Sequence, residues 1–146
     1  MNRSSVSRML LATDFSDSAL LAHDYAAHLA SAFGASVDIL HVTDRRPEMK
    51  AAELLKYEAQ VQSQLQSVEK MLRNHGVLVT IRRIAGDPGA QIVAVARQAG
   101  ADVIAMGLQG HTHVPYGLIG STVDSVTKVG ICPVLTVPLP QKEASP

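Results

Sequence analysis

Three glycines, a serine and a threonine are the residues in this chain best suited to chemistry. Gly107 is followed after two residues by Gly110, and after nine more by Gly120, Ser121 and Thr122. Glycine reaches positive φ and lets a backbone come close to a ligand, so a loop with this spacing turns several N–H groups inward. A helix beginning at Ser121 adds unpaired amides and a partial positive charge at its N-terminus. Together these form a site for an anion, and a phosphate chain is the anion they suit. An ordinary reading fits the same residues. Ser121 with Asp124 makes an imperfect capping box, Gly130 is a fitting C′ residue, and loop glycines are common. Taken by itself the stretch supports both readings equally, and its structural context has to separate them.

Other chemistry is sparse. The loop lacks the glycine-lysine-serine/threonine ending of a Walker A sequence, and no GxGxxG follows the first apolar run. No Ser-His-Asp set is deducible, no acidic pair marks a two-metal centre, and no catalytic residue is assigned. Asp14 is a single carboxylate of the kind that holds Mg²⁺ beside phosphates. His41, His111 and His113 match no standard zinc spacing and read instead as exposed loop histidines. Hydrolysis of a nucleotide needs an aligned water, a base and charge stabilisation. Only the base has candidates here, Asp14 or a loop histidine, so the residues support binding far better than turnover. Cys132, between an isoleucine and a proline at a strand start, has no cationic neighbour in sequence to activate it and reads as packing.

The totals narrow the class. A chain of 146 residues with 47% hydrophobic and 18% charged side chains is one compact domain with a substantial core. Thirteen basic residues balance thirteen acidic ones, which points away from nucleic acid or an anionic membrane as partner. Aromatic content of 3% offers no stacking platform for single strands. The apolar run in MNRSSVSRMLLATDF is too short for a signal-peptide core, no segment approaches membrane-spanning length, and the cytoplasm is the expected compartment.

The elements that must position the glycine loop alternate from end to end. Met9–Ala12 is a short apolar run of the kind buried on both faces of a parallel sheet. Thr13 to Ser18 offers capping residues, with Asp14 itself a candidate N-cap, and an alanine- and leucine-rich helix follows to Phe33. Val37–Val42 is a second strand, and Asp44–Pro47 a charged turn. A long helix is expected from about Glu48 to His75, with Leu54, Val61, Leu65, Val68 and Leu72 as its packing stripe. Val77 to Arg82 alternates like an outer strand. Asp87-Pro88 starts a third helix that Gly100 closes. Val103–Met106 and Val134–Val137 are the last strands, separated by the glycine loop and a short helix. Five strands and four helices in strict alternation predict one doubly wound α/β domain, a parallel sheet of order 3-2-1-4-5 with helices on both faces. Ligands bind such sheets where the winding reverses, at the carboxyl ends of strands one and four. Asp14 and Gly107 stand at those ends. The domain is expected to occupy residues 1–140, with 141–146 a flexible tail.

On these residues the chain resembles the universal stress protein family. Its ATP-binding members carry glycine, two residues, glycine, nine residues, then glycine and serine or threonine, matched here by Gly107, Gly110, Gly120 and Ser121. LLATDFSDSA is similar to the family's first strand and turn, and CPVLTVP to its final strand, so the likeness spans about Arg8 to Pro138. The resemblance implies an adenine-nucleotide alpha-hydrolase-like fold and ATP, with Mg²⁺, as cofactor. It implies Asp14 near the ribose, Val42 presenting backbone atoms to the adenine edge, and Met106 lining the pocket. Gly107, Gly110, Gly120, Ser121 and Thr122 would surround the phosphates, and Ala12, Thr13, His111 and Val123 complete the expected contacts. Core packing serves equally well for Val42 and Met106.

There are departures from the family pattern. Leu108 and Gln109 stand where many relatives place serine, histidine or arginine, and His111-Thr112-His113-Val114-Pro115 replaces the commoner arginine-containing continuation. A permanent cation is thereby lost from the phosphate loop. If His111 or His113 nears the phosphates, its charged form should strengthen binding toward pH 6. The expected function is a cytoplasmic ATP-binding sensor in the stress response, whose occupied state alters the 107–120 loop and its contacts with an unidentified protein partner. A slow ATP hydrolase and a nucleotide-free dimeric scaffold are the alternatives. The bare apolar edge strand Val134–Val137 is expected to pair with its copy in a two-fold homodimer.

Overall fold

The computed structural model describes residues 5–43, 48–111 and 119–140. The charged turn at 44–47, His113, Val114 and Pro115, and the tail 141–146 lie outside the described residues. The chain runs β1 (Arg8–Ala12), α1 (Asp17–Phe33), β2 (Ser36–Thr43), α2 (Ala51–Asn74), β3 (Val79–Ala85), α3 (Pro88–Ala99), β4 (Val103–Gly107), α4 (Ser121–Val129) and β5 (Val134–Val137). All strands pair in parallel in the order β3-β2-β1-β4-β5, as expected. None of the helices described is long and apolar enough to cross a membrane.

Alternating strand residues build two cores. Met9, Leu11, Val37 and Ile39 pack under α1 and α2 with Ala22, Ala26, Leu65 and Leu72. Leu10, Leu40, Ile104 and Met106 face α3 and α4 with Ile92, Val95, Val123 and Val126. Cys132 lies half-buried against this second core, and burial pushes its thiol above the usual range, which fits an inert packing role.

Five expectations change. α2 begins at Ala51 rather than Glu48, because Lys50 is extended and donates no side-chain cap. Its stripe is buried only from Val61 onward; Leu54 is 45% exposed, so the first turns of the helix lie outside the packed stripe. β3 runs two to three residues later than its alternation suggested, since pairing with β2 continues from Val37↔Val79 to Thr43↔Ala85. The capping box at Ser121 does not form: Gly120 is the N-cap, and Asp124 instead reaches Lys128 at 2.9 Å. At α1 the cap is Ser16, whose hydroxyl accepts from the Ala19 amide, and not Asp14.

Candidate functional site

β1 and β4 lie side by side, Met9 against Val103 and Leu11 against Ala105. The chain leaves β1 into α1 on one face and leaves β4 toward α4 on the other. The divergence opens a cavity of about 730 Å³ at the carboxyl edge of the sheet. Every expected contact residue lines it: Ala12, Thr13 and Asp14 from the end of β1, Val42 from β2, Met106, Gly107, Gly110 and His111 from β4 and its loop, and Gly120 to Val123 from the start of α4.

Local hydrogen bonds fix the turn after β1. The Thr13 amide continues the ladder to the Leu40 carbonyl at 2.9 Å. The Thr13 hydroxyl accepts from the Phe15 amide, and an Asp14 carboxylate oxygen accepts from the Ser16 amide, at 3.0 and 2.9 Å. Phe15 is thereby held at φ 59°, a region that a bulky side chain rarely adopts. Its ring rests on His41, with centroids 4.9 Å apart. Asp14 is left exposed at the cavity mouth, and His111 Nε2 donates to its backbone carbonyl from the glycine loop.

The three glycines are required for three different reasons. A Cβ on Gly107 would lie 2.4 Å from Ser18 Oγ and 2.5 Å from the Ala19 amide nitrogen, so a bare backbone here lets α1 close onto β4. Gly110 has φ 66°, and a Cβ there would stand 3.2 Å from an Asp14 carboxylate oxygen. A Cβ on Gly120 would meet the Leu108 carbonyl at 2.9 Å, the same carbonyl that accepts the Gly120 amide. Two loop amides are spent internally, Leu108 on the Val137 carbonyl and Gln109 on Ser18 Oγ. The leading amides of α4 have no intrahelical partner and no side-chain cap, which leaves them as donors toward the cavity.

Two histidines sit behind the turn. His41 is 5% exposed on β2, not on a loop, and its Nδ1–H donates to the Thr13 carbonyl. Among the described residues its Nε2 has no partner. Burial lowers its pKa, and burial likewise lowers that of His23 to about 4. Both are therefore neutral at neutral pH. Among the described residues no group of three or more metal-ligating side chains occurs, and Asp14 is the one carboxylate that lines the cavity.

Sequence reasoning missed the α2 side of the cavity. Tyr57, Gln60 and Gln64 line it together with Phe15, Pro88 and Ile92. The first three share helical spacing with Val61 and continue its stripe upward, a signal hidden by their polarity.

Known proteins share this architecture. The sequence model described as the universal stress protein family matches residues 5–138. Universal stress protein MJ0531 of Methanocaldococcus jannaschii is 35% identical over 145 residues, covering 93% of this chain and 84% of that protein. Among solved structures, hypothetical protein MJ0577 of the same organism superposes with a TM-score of 0.81 at 29% identity, over 94% of this chain and 99% of that one. A universal stress protein crystallised in complex with cAMP gives a TM-score of 0.73 at 26% identity, over 92% and 98% of the two chains.

Proposed function

We propose that this chain, which belongs to the universal stress protein family, is a cytoplasmic stress-response regulator that binds adenine nucleotide, ATP with Mg²⁺ among them, between β1 and β4. The observation that carries the reading is the meeting of Asp14, the glycine loop and the uncapped start of α4 around one cavity at the switch point of the sheet. The cAMP-bound relative supports adenine nucleotide as the ligand class.

In this reading the Asp14 carboxylate accepts hydrogen bonds from ribose hydroxyls, Val42 offers backbone atoms to the adenine edge, and Met106 supplies apolar wall. The amides of Gly110 and of Ser121 to Val123, with the Ser121 and Thr122 hydroxyls, donate to phosphate oxygens. Mg²⁺, when bound, neutralises phosphate charge and is held by Asp14 and the phosphates themselves. Occupancy alters the loop between Gly107 and Gly120, and a partner protein reads that loop.

A homodimer through β5 belongs to the same proposal. The carbonyls of Pro133 and Val137 bond to β4, so the alternation turns the amides of Val134 and Thr136 toward the open edge. A second copy of β5 satisfies them around a two-fold axis.

Calorimetry of the purified chain with MgATP and with cAMP tests the reading. One site per chain is expected, lost in Gly110→Val and Gly120→Val. Silence with both ligands at millimolar concentration would rule it out. Chromatography of the incubated nucleotide should recover it intact, as befits a sensor.

A further inference from the structure

Each helix between parallel strands runs from the carboxyl edge of the sheet back to its amino edge. The later turns of α1 and the end of α2 therefore lie away from the cavity. Two exposed histidines meet there, His28 of α1 and His75, the C-cap of α2. Their ring centroids are 5.2 Å apart and their planes are perpendicular. The His75 ring is already held. Its Nδ1–H donates to the Met71 carbonyl at 2.9 Å, one turn back in α2. A carbonyl has no proton to give, so Nδ1 carries the hydrogen and Nε2 keeps its lone pair. Metal-binding histidines are commonly oriented in this way, with the second nitrogen spent on a backbone oxygen. The end of α2 also carries the negative pole of that helix, which favours a cation beside it. Arg73, the cation of that last turn, is engaged with Glu69 at 3.5 Å and with the Val79 carbonyl.

We infer that His28 and His75 form a binding site for a divalent transition cation, with Zn²⁺ as its representative, and that water fills the remaining positions. An imidazole nitrogen lies about 2.1 Å from such an ion and the ring centre roughly 1.2 Å beyond it, so two imidazoles on one tetrahedral ion have centroids about 5 Å apart. The observed 5.2 Å matches that spacing. His28 is exposed, and rotation about its own side-chain bonds brings a nitrogen to the ion that His75 Nε2 faces. Imidazole suits Zn²⁺, Cu²⁺ and Ni²⁺, whereas Mg²⁺ and Ca²⁺ prefer oxygen ligands. The bound ion ties α1 to α2 and stabilises the fold, because unfolding separates two ligands that are distant in sequence. This site is separate from the nucleotide cavity and holds or fails independently of that reading.

The test is equilibrium dialysis of the full, untagged, metal-free chain against ZnCl₂ in a buffer with excess Mg²⁺. One Zn²⁺ per chain is expected at micromolar concentration. Affinity should fall at least about tenfold in His28→Asn and likewise in His75→Asn. Replacing His111 and His113 together with asparagine should leave it within about twofold of the native value. Zn²⁺ should also raise the urea midpoint of the native chain and leave those of His28→Asn and His75→Asn unmoved, a readout that an ion held by one histidine alone would not give. Unchanged Zn²⁺ affinity in both variants, or a loss in only one of them, would overturn the inference. So would loss of binding on replacing His111 and His113, or no binding by the native chain at millimolar Zn²⁺.

Discussion

Buried His23 on α1 places its Nε2 2.7 Å from the hydroxyl of Thr13 at the end of β1. That hydroxyl also accepts the Phe15 amide, so one side chain from the helix braces the turn that presents Asp14. Phe15 lies between this histidine and His41, with ring centroids 6.4 and 4.9 Å away.

A pH dependence follows from the brace. His23 titrates at 6.5 in the unfolded chain and at about 4 in the fold, where burial penalises its charge. Between those values the unfolded chain binds more protons, so stability is complete above pH 6.5 and falls as pH drops toward 4. The loss from this group is about 3 kcal/mol, and His41 adds to it with the same sign. Urea midpoints across this range should fall steeply for the native chain and more gently for His23→Leu. Identical slopes would show that the brace does not control acid sensitivity.

The glycines separate into a packing position and a conformational one. Gly107→Ala should lower thermal stability sharply, since the new methyl meets the Ser18 and Ala19 backbone of α1. Gly110→Ala should cost only about 1–2 kcal/mol, the penalty of the left-handed conformation, and Gly110→Asn less. Differential scanning calorimetry of the three variants without nucleotide measures this order. An equal cost at both positions would contradict it.

The two ends of α2 should differ in the same way. Leu65 is fully buried, and Leu65→Ala should cost about 2–5 kcal/mol of unfolding free energy. Leu55 is 73% exposed, and Leu55→Lys should stay within about 0.5 kcal/mol of the native chain. Denaturant titration of both variants decides the matter; a large loss at Leu55 would mean that its side chain is covered in solution.

Assembly has its own test. Thr136→Pro removes an outward amide of β5 without touching the ladder to β4, a substitution that edge strands tolerate. Light scattering should give a dimer for the native chain and a monomer of unchanged melting temperature for the variant. A native monomer at micromolar concentration would defeat the edge-pairing proposal.

The sheet order and the position of the cavity were legible because short apolar runs and glycine punctuation mark strands and turns locally. The boundaries of β3 were not, since its alternation begins at Val77 but its extent is set by the length of β2. Leu54 and Leu65 look alike in a helical stripe, and only the extent of the sheet beneath decides which is buried. The same holds at the site. Gly107, Gly110 and Gly120 are visible as a spacing, yet the reason for Gly107 is the approach of α1, a tertiary fact. The His23–Thr13 and His41–Thr13 contacts join residues 10 and 28 positions apart and leave no local trace.

The most direct test of the nucleotide site is an amide map. Two-dimensional nitrogen–proton spectra of the isotope-labelled chain should be recorded while adenine nucleotide is added. The largest shifts are expected at Asp14, Val42, Gly110 and the Ser121–Val123 amides, saturating together at one ligand per chain. Shifts confined to other surfaces, or none at saturating ligand, would contradict a nucleotide bound between β1 and β4.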